Sequence, residues 1–398
     1  MDEFIAFQQA ELRHQQAKPQ AGQGGYAHIL SAEDFTTAYQ EITAWEGYQP
    51  TPLYPLNDIA AEIKVDAIYY KDEGPRFGLS SFKALGGAYA AIRVLQREIE
   101  TRRGTAVSTE DIRNGKLKED CAAITLVSAT DGNHGRSLAW GCQRYGAPCR
   151  IYIHAEVSEE RAAIMRGFGA EVIRISGDYD ESVRLAKEEA DKNGWFVVSD
   201  TSWPGYSAPP RDVMAGYGVM VSEINYALDE APTHVFLQGG VGGLAAGVAA
   251  ALRYYWGDLS PRVVVVEPEY AACLYLSAQR GKAVTFNIET ETIMAGLSCG
   301  EPSEMAWTVL QEEATDYLTI PDSLVPPMMR MLACPSGDDA PIQAGESAVA
   351  GLCALIAARR ETALSEALGL NSRSRILIIG SEGITDAQIY TKIMKGEL

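Results

Sequence analysis

Short apolar runs alternate with longer amphipathic stretches along most of the chain. Eight runs are rich in β-branched and aromatic residues: AIYYK (67–71), AAITLVSA (122–129), CRIYIH (149–154), EVIRI (171–175), WFVVSD (195–200), HVFLQ (234–238), RVVVVE (262–267) and RILIIG (375–380). Several are apolar at consecutive positions, which predicts strands covered on both faces, as in a parallel sheet. Helical patterning lies between them at 82–100, 180–193 and 244–255. This order predicts an α/β protein with mainly parallel sheets covered by helices. The unequal spacing suits two lobes, each with its own sheet, better than one barrel. Upstream, a helix is predicted over 31–45, with Ser31 placed to cap it and Asp34 in its first turn. TPLYPL (51–56), broken by two prolines, reads as an extended arm. The polar stretch 100–120 reads as a surface connection with little core. No period of 20–50 residues marks a repeat.

Length and composition narrow the class. The 398 residues fit two or three domains, or one large α/β unit with an inserted lobe. A 46% apolar and 22% charged composition excludes general disorder. The chain holds 34 basic and 53 acidic residues, a net charge of −19, which argues against a nucleic-acid partner. No apolar run reaches about 18 residues, so no membrane span is expected. Met1 to Ala10 lacks the basic-then-apolar order of a secretion signal. A cytoplasmic protein is expected. The seven cysteines are scattered and odd in number, which reads as buried thiols in a reducing compartment, with one pair, Cys273 and Cys299, left open as a bridge. No metal site is expected, since His134, His154 and His234 lack ligand-like spacing.

Open parallel sheets bind ligands beyond the carboxyl ends of their strands. Five such places carry candidate chemistry. QGGVGGLAAG (238–247) follows a strand and enters a helix; the backbone N–H groups of Gly239, Gly240, Gly242 and Gly243 suit a phosphate. No Gly-Lys-Ser/Thr follows, so a P-loop phosphotransferase is excluded. GLSSFKALGG (78–87) sets Lys83 among small and apolar residues, where lost hydration favours the neutral amine that forms Schiff bases. A snorkelling surface lysine is the plainer alternative. SATDGNHG (128–135) follows a strand: Ser128, Thr130 and the turn amides suit a carboxylate, Asn133 an aromatic hydroxyl, and Asp131 a base. The same residues also make an ordinary Asp-Gly-Asn turn. Asp200 closes the run WFVVSD, facing a ligand or satisfied within its loop. Ser381 follows RILIIG, bonding a ring nitrogen or capping a helix.

In this order the motifs resemble the fold type II pyridoxal-5′-phosphate enzymes, the tryptophan synthase β family, and within it the diaminopropionate ammonia-lyases. The likeness runs through RFGLSSFKALGGAYA, TDGNHGRSLAWG, YDESVRLA, DTSWPGY, QGGVGG, VVVVEPE, MAGLSCGEPS and SEGITD. It implies a large cofactor-binding lobe from residues 1–87 and 206–398 and a small inserted lobe from 88–205, with the cofactor in the cleft. It implies that Lys83 holds pyridoxal 5′-phosphate covalently, Phe82 packs beside its ring, Asn133 bonds the ring hydroxyl, the Gly239–Gly243 loop cradles the phosphate, and Ser381 faces the pyridine nitrogen. A serine there does not hold the ring protonated as a carboxylate does, which weakens the electron sink.

The dehydratases of this fold carry Ser-Ala-Gly-Asn-His where this chain has Thr130-Asp131-Gly132-Asn133-His134. The resemblance implies catalytic roles for Asp131 and Asp200, and a substrate side lined by Ser128, Thr130, Asp131, His134 and Asp200. 2,3-Diaminopropionate carries two ammonium groups and one carboxylate, so two acids complement it, whereas a hydroxy-amino acid leaves one acid unpaired. The expected reaction is α,β-elimination from either isomer to pyruvate and two ammonia, with Lys83 and Asp131 as bases for opposite isomers. A homodimer follows from the resemblance only. The competing readings are a threonine or serine dehydratase, or another β-eliminase of the same fold, and a non-catalytic ligand-binding homologue.

Overall fold

The computed structural model describes residues 3–8, 10–18, 25–130, 132–177 and 179–398. They divide into two compact units: residues 1–31, 50–82 and 220–398 form the first, and 32–49 with 83–219 the second.

The first unit is built on a seven-stranded sheet. Its strands are β1 (Arg13–Gln16), β2 (Leu53–Pro55), β3 (Ala67–Asp72), β8 (His234–Gln238), β9 (Arg262–Pro268), β10 (Ala314–Ile320) and β11 (Arg375–Gly380). The order is β1-β10-β9-β8-β11-β3-β2. The five inner strands are parallel, and β1 and β2 are antiparallel edges. All of β8 is buried, as are the last six residues of β9 and the last five of β11, which explains their unbroken apolar sequence. The helices Gly243–Trp256 and Ala350–Arg360 have long buried stretches rich in alanine. The second unit holds a four-stranded parallel sheet, ordered β6-β5-β4-β7: β4 (Leu126–Ala129), β5 (Cys149–Ile153), β6 (Glu171–Arg174) and β7 (Phe196–Val197). Among the described residues no helix is long and apolar enough to cross a membrane.

The unit boundaries depart from those read in the sequence. Residues 83–87 belong with the second unit because they are the first turns of one continuous helix, Lys83–Arg103. Residues 206–219 join it on the helix Ala208–Ala227. The segment 32–49 joins it as well. Its helix, Ala32–Thr43, buries Phe35, Ala38 and Ile42, and Glu41 accepts from Arg113 and Thr109, each at 2.6 Å. The stretch 100–120 is correspondingly more than a surface connection: short helices at Thr109–Arg113 and Lys118–Ala122 bury Ile112 and Cys121, with Leu117 buried between them. The Glu41 carboxylate ties this polar segment to the helix Ala32–Thr43.

A buried charge cluster fixes the segment leading to Lys83. Lys71 and Arg76 face Glu73 and Glu223, with every side chain at most 3% exposed. Glu223 lies 2.5 Å from the Lys71 ammonium and 2.8 Å from the Arg76 guanidinium, which also grips Glu73 at 2.8 Å. The charges balance. Immediately beyond, Phe77 and Ser80 hold positive φ values of 51° and 57°, a conformation that costs about 1–3 kcal/mol per residue and survives only where surroundings enforce it. Burial alone would raise the Glu223 carboxyl, but its bonds to Arg76 and the two cations hold it low. Its stabilising contribution is therefore present at neutral pH and lost as pH falls below the ordinary carboxylate range. Glu223→Ala leaves two buried cations on one carboxylate, and is expected to cost about 3–5 kcal/mol. A urea midpoint lowered at unchanged slope is the check; a change under about 1 kcal/mol would show the cluster to be dispensable.

Candidate active site

Lys83 opens the helix Lys83–Arg103, whose Gly86 and Gly87 leave a bare backbone surface in the turn that follows it. That small surface admits Tyr217 from the helix Ala208–Ala227: a Cβ on Gly86 would lie 2.6 Å from Tyr217 Cε1. The Tyr217 phenol is raised by burial and lowered by the neighbouring Lys83 ammonium. The backbone is gripped too. Ser137 Oγ donates to the Lys83 carbonyl at 2.6 Å and accepts from the Ala88 N–H at 3.1 Å.

Asp200 reaches the same place from the carboxyl side of β7. Its Oδ2 lies 2.5 Å from Lys83 Nζ and 3.9 Å from His134 Nδ1. Burial pushes this carboxyl up, but the Lys83 charge and the hydrogen bond from Lys83 outweigh it and hold Asp200 well below the usual range. It is an anion at neutral pH. His134 places Nε2 2.9 Å from the Val198 carbonyl. That nitrogen must carry the proton, since a carbonyl only accepts. Burial lowers the imidazole pKa against the pull of Asp200, so the ring is neutral and Nδ1 is a bare acceptor, which has no hydrogen-bond partner among the described residues.

The turn after β4 meets this cluster in part. Ser128 is fully buried. Thr130 Oγ1 accepts from the Gly132 N–H at 3.2 Å, and its own N–H reaches the Tyr152 carbonyl at 3.2 Å. Asn133 starts the helix Asn133–Tyr145. Asp131 lies outside the described residues.

The remaining candidates lie in the first unit. After β8, Gly240 and Gly242 take φ of +61° and +95°, left-handed conformations that favour glycine. The turn is held by the Gly239 N–H on the Val266 carbonyl (2.9 Å) and the Gly242 N–H on the Gly239 carbonyl (3.1 Å). Helix Gly243–Trp256 begins here with no side chain capping it. Its first N–H groups, which have no acceptor within a helix, and its positive dipole end suit an anion. A Cβ on Gly240 would face the Gly296 carbonyl and Cys299 Sγ at 3.5 and 3.7 Å, so the glycine keeps a small hollow open. Val241 is half-buried, and its carbonyl accepts from Ser303. Beyond β11, the Ser381 carbonyl accepts from the Phe82 N–H at 3.0 Å. The buried Phe82, which precedes Lys83 in the chain, is thus tied to Ser381.

Sequence reasoning missed four residues here. Tyr217 sits in a helix apolar nearly throughout, so its hydroxyl had no pattern to stand out from. Ser137 follows Asn133 by one helical turn. Glu267, the next-to-last residue of β9, is wholly buried and accepts from the N–H groups of Leu274 (3.0 Å) and Tyr275 (2.7 Å); burial pushes it up to about 8. Cys273 donates to the Gly240 carbonyl at 3.4 Å. The signal for Glu267 was the run VVVVEPE, whose acid follows four valines. All seven cysteines are free thiols, Cys273 and Cys299 included.

A family model described as pyridoxal-phosphate dependent enzyme matches residues 44–381. The chain is 38% identical over 358 residues to the diaminopropionate ammonia-lyase of Escherichia coli (strain K12), covering 87% of this chain and 88% of that one. It is 36% identical over 361 residues to the enzyme of that name from Salmonella typhimurium (strain LT2), with the same coverage. The crystal structure of the Escherichia coli enzyme in complex with an aminoacrylate–PLP azomethine reaction intermediate superposes with a TM-score of 0.87 at 34% identity, covering 98% of each chain.

Proposed function

The chain belongs to the pyridoxal-phosphate-dependent enzymes and, within them, to the diaminopropionate ammonia-lyases, and from that premise we propose that it converts 2,3-diaminopropionate and water into pyruvate and two ammonia. The observation that carries the reading is the Lys83–Asp200 pair: an amine and an ionised carboxylate 2.5 Å apart, where a substrate with two amines needs one partner for each.

The residues present fit the cofactor. The uncapped helix start behind Gly239–Gly243, with its hollow at Gly240, suits a phosphate. The Lys83 amine suits an aldehyde, and Phe82 offers an aromatic wall. Asn133 and Ser381 are assigned to the ring hydroxyl and ring nitrogen. When bound, the cofactor supplies an electron-withdrawing ring that acidifies the substrate's α-carbon.

With the cofactor bound, the Lys83 amine would remove the α-proton of the L-isomer, and Asp131 that of the D-isomer. Asp200 holds the β-amine as an ammonium, because amide ion is far too poor a leaving group. Its strongly lowered pKa suits that role, since a carboxylate that stays ionised stabilises a neighbouring ammonium and does not compete for its proton. Ser128 and Thr130 are assigned to the substrate carboxylate. His134, with Nε2 engaged by Val198, serves this side through Nδ1. The released aminoacrylate hydrolyses to pyruvate and the second ammonia. We propose a homodimer acting in the cytoplasm; the resemblance supports the first, and seven free thiols are in keeping with the second.

The test of the two-base assignment is Asp131→Asn. It is expected to cost turnover of the D-isomer on the order of 10²-fold or more, and that of the L-isomer much less. Steady-state assays with both isomers decide it, and equal losses would refute it.

A further inference from the structure

β7 is only two residues long, Phe196–Val197, so the sheet by itself gives little register to residues 198–200. One further backbone bond and three side-chain bonds add to it. The Val198 N–H donates to the Val127 carbonyl at 2.8 Å, and His134 Nε2 donates to the Val198 carbonyl at 2.9 Å. One phenol then spans the peptides on either side. The Tyr206 hydroxyl donates to the Val197 carbonyl and accepts from the Ser199 N–H, each at 2.9 Å. Tyr206 is itself held. Trp203 and Tyr206 exchange backbone hydrogen bonds at 2.9 and 3.3 Å, and their rings stack at 3.9 Å and 8°. The Lys187 ammonium lies 3.6 Å from the Trp203 ring centre, a cation–π contact. Burial raises the phenol's pKa, so its donor stays in place at neutral pH.

We propose that Tyr206, seated on Trp203, is a positioning residue for the reaction: it sets Asp200 beside the Lys83 ammonium by fixing Val197 and Ser199, without touching substrate. The inference rests on the role given to Asp200 above. The ionisable groups that face Asp200 within the second unit are Lys83, His134, Tyr217 and Tyr206. None but Tyr206 holds the backbone of both Val197 and Ser199.

Tyr206→Phe keeps the stack and removes both hydrogen bonds. It is expected to lower kcat with diaminopropionate about tenfold or more while KM changes little, because misplacing a group by about 1 Å costs rate before affinity. The independent readout is the Asp200 carboxyl resonance in ¹³C-labelled, cofactor-free protein, assigned through Asp200→Asn. In the parent it stays ionised well below the ordinary carboxylate range; in Tyr206→Phe it moves up toward the ordinary value near 3.9. Trp203→Phe, which leaves the hydroxyl in place, is expected to fall between the two, and it carries the test if Tyr206→Phe does not fold. A merely structural Tyr206 would lower Tm and leave the Asp200 titration and kcat unmoved, and that result overturns the inference. Full activity in Asp200→Asn overturns the role of Asp200 instead.

Discussion

Replacing Lys83 with alanine is expected to abolish diaminopropionate turnover, by about 10⁴-fold or more, and to remove the visible absorbance of the purified protein. The two losses have one cause, because the same amine is assigned to hold the cofactor and to act as base for the L-isomer. The fold is expected to survive. Ser137 grips the backbone carbonyl of residue 83 and not its side chain, and alanine is a better helix former than lysine. What changes locally is Asp200. Without the ammonium, burial is left as the largest influence on its carboxyl, so its pKa rises toward and beyond the ordinary value. Borohydride reduction of the parent followed by peptide mapping is the decisive measurement. A pyridoxyl label on another lysine, or none, would remove Lys83 from its role and the mechanism with it.

How much of this was legible depended on what each segment has to bury. HVFLQ and RILIIG became β8 and β11 without a residue's difference, because strands covered on both faces are apolar at consecutive interior positions. WFVVSD shrank to a two-residue strand, extended by the bond from the Val198 N–H to the Val127 carbonyl before the chain leaves the sheet. Two strands gave no signal. β10 carries Asp316 and Thr319 among its apolar residues, and its buried acid is matched by Arg262 at 2.6 Å and His14 at 2.8 Å. β1 reads RHQQ and owes its place to that pairing and to backbone bonding along β10. TPLYPL holds an edge strand, Leu53–Pro55, where a proline without an N–H is tolerated.

The site followed the same division. Lys83, Asp200, Ser381 and the glycine loop all stand at strand ends or helix starts, where local sequence is informative. Lys83 and Asp200 are 117 residues apart, and nothing in either segment announces their 2.5 Å contact. The resemblance assigns both to one site, and in the structure they meet. Tyr217, Ser137 and Tyr206 act through distances that only the fold creates. The Tyr206 hydroxyl is a case in point: the motif DTSWPGY was visible, but its work on Val197 and Ser199 is done on the backbone, which no side-chain pattern records.

Asp200→Asn carries the other large expectation, and it separates leaving-group chemistry from proton abstraction. Asparagine keeps the shape and one acceptor, so Lys83 retains a hydrogen-bond partner and the cofactor absorbance is expected to persist. The negative charge is gone. A β-ammonium next to a neutral amide, within reach of the bare Nδ1 of His134, holds its proton less firmly and leaves as ammonia more slowly. The expected fall in kcat/KM for diaminopropionate is on the order of 10²–10⁴. It should be the same for both isomers, because expulsion of the β-amine is common to them, in contrast to the one-sided loss expected of Asp131→Asn. Serine supplies the control. Its β-hydroxyl is uncharged and gains little from an anion at this position, so the variant should lose far less on serine, and its preference for diaminopropionate should narrow by a comparable factor. Steady-state constants for D- and L-diaminopropionate and for serine, measured on parent and variant, test all three statements. An equal loss on serine and diaminopropionate would mean that Asp200 acts on Lys83 or on the α-carbon, and that the β-amine is held elsewhere.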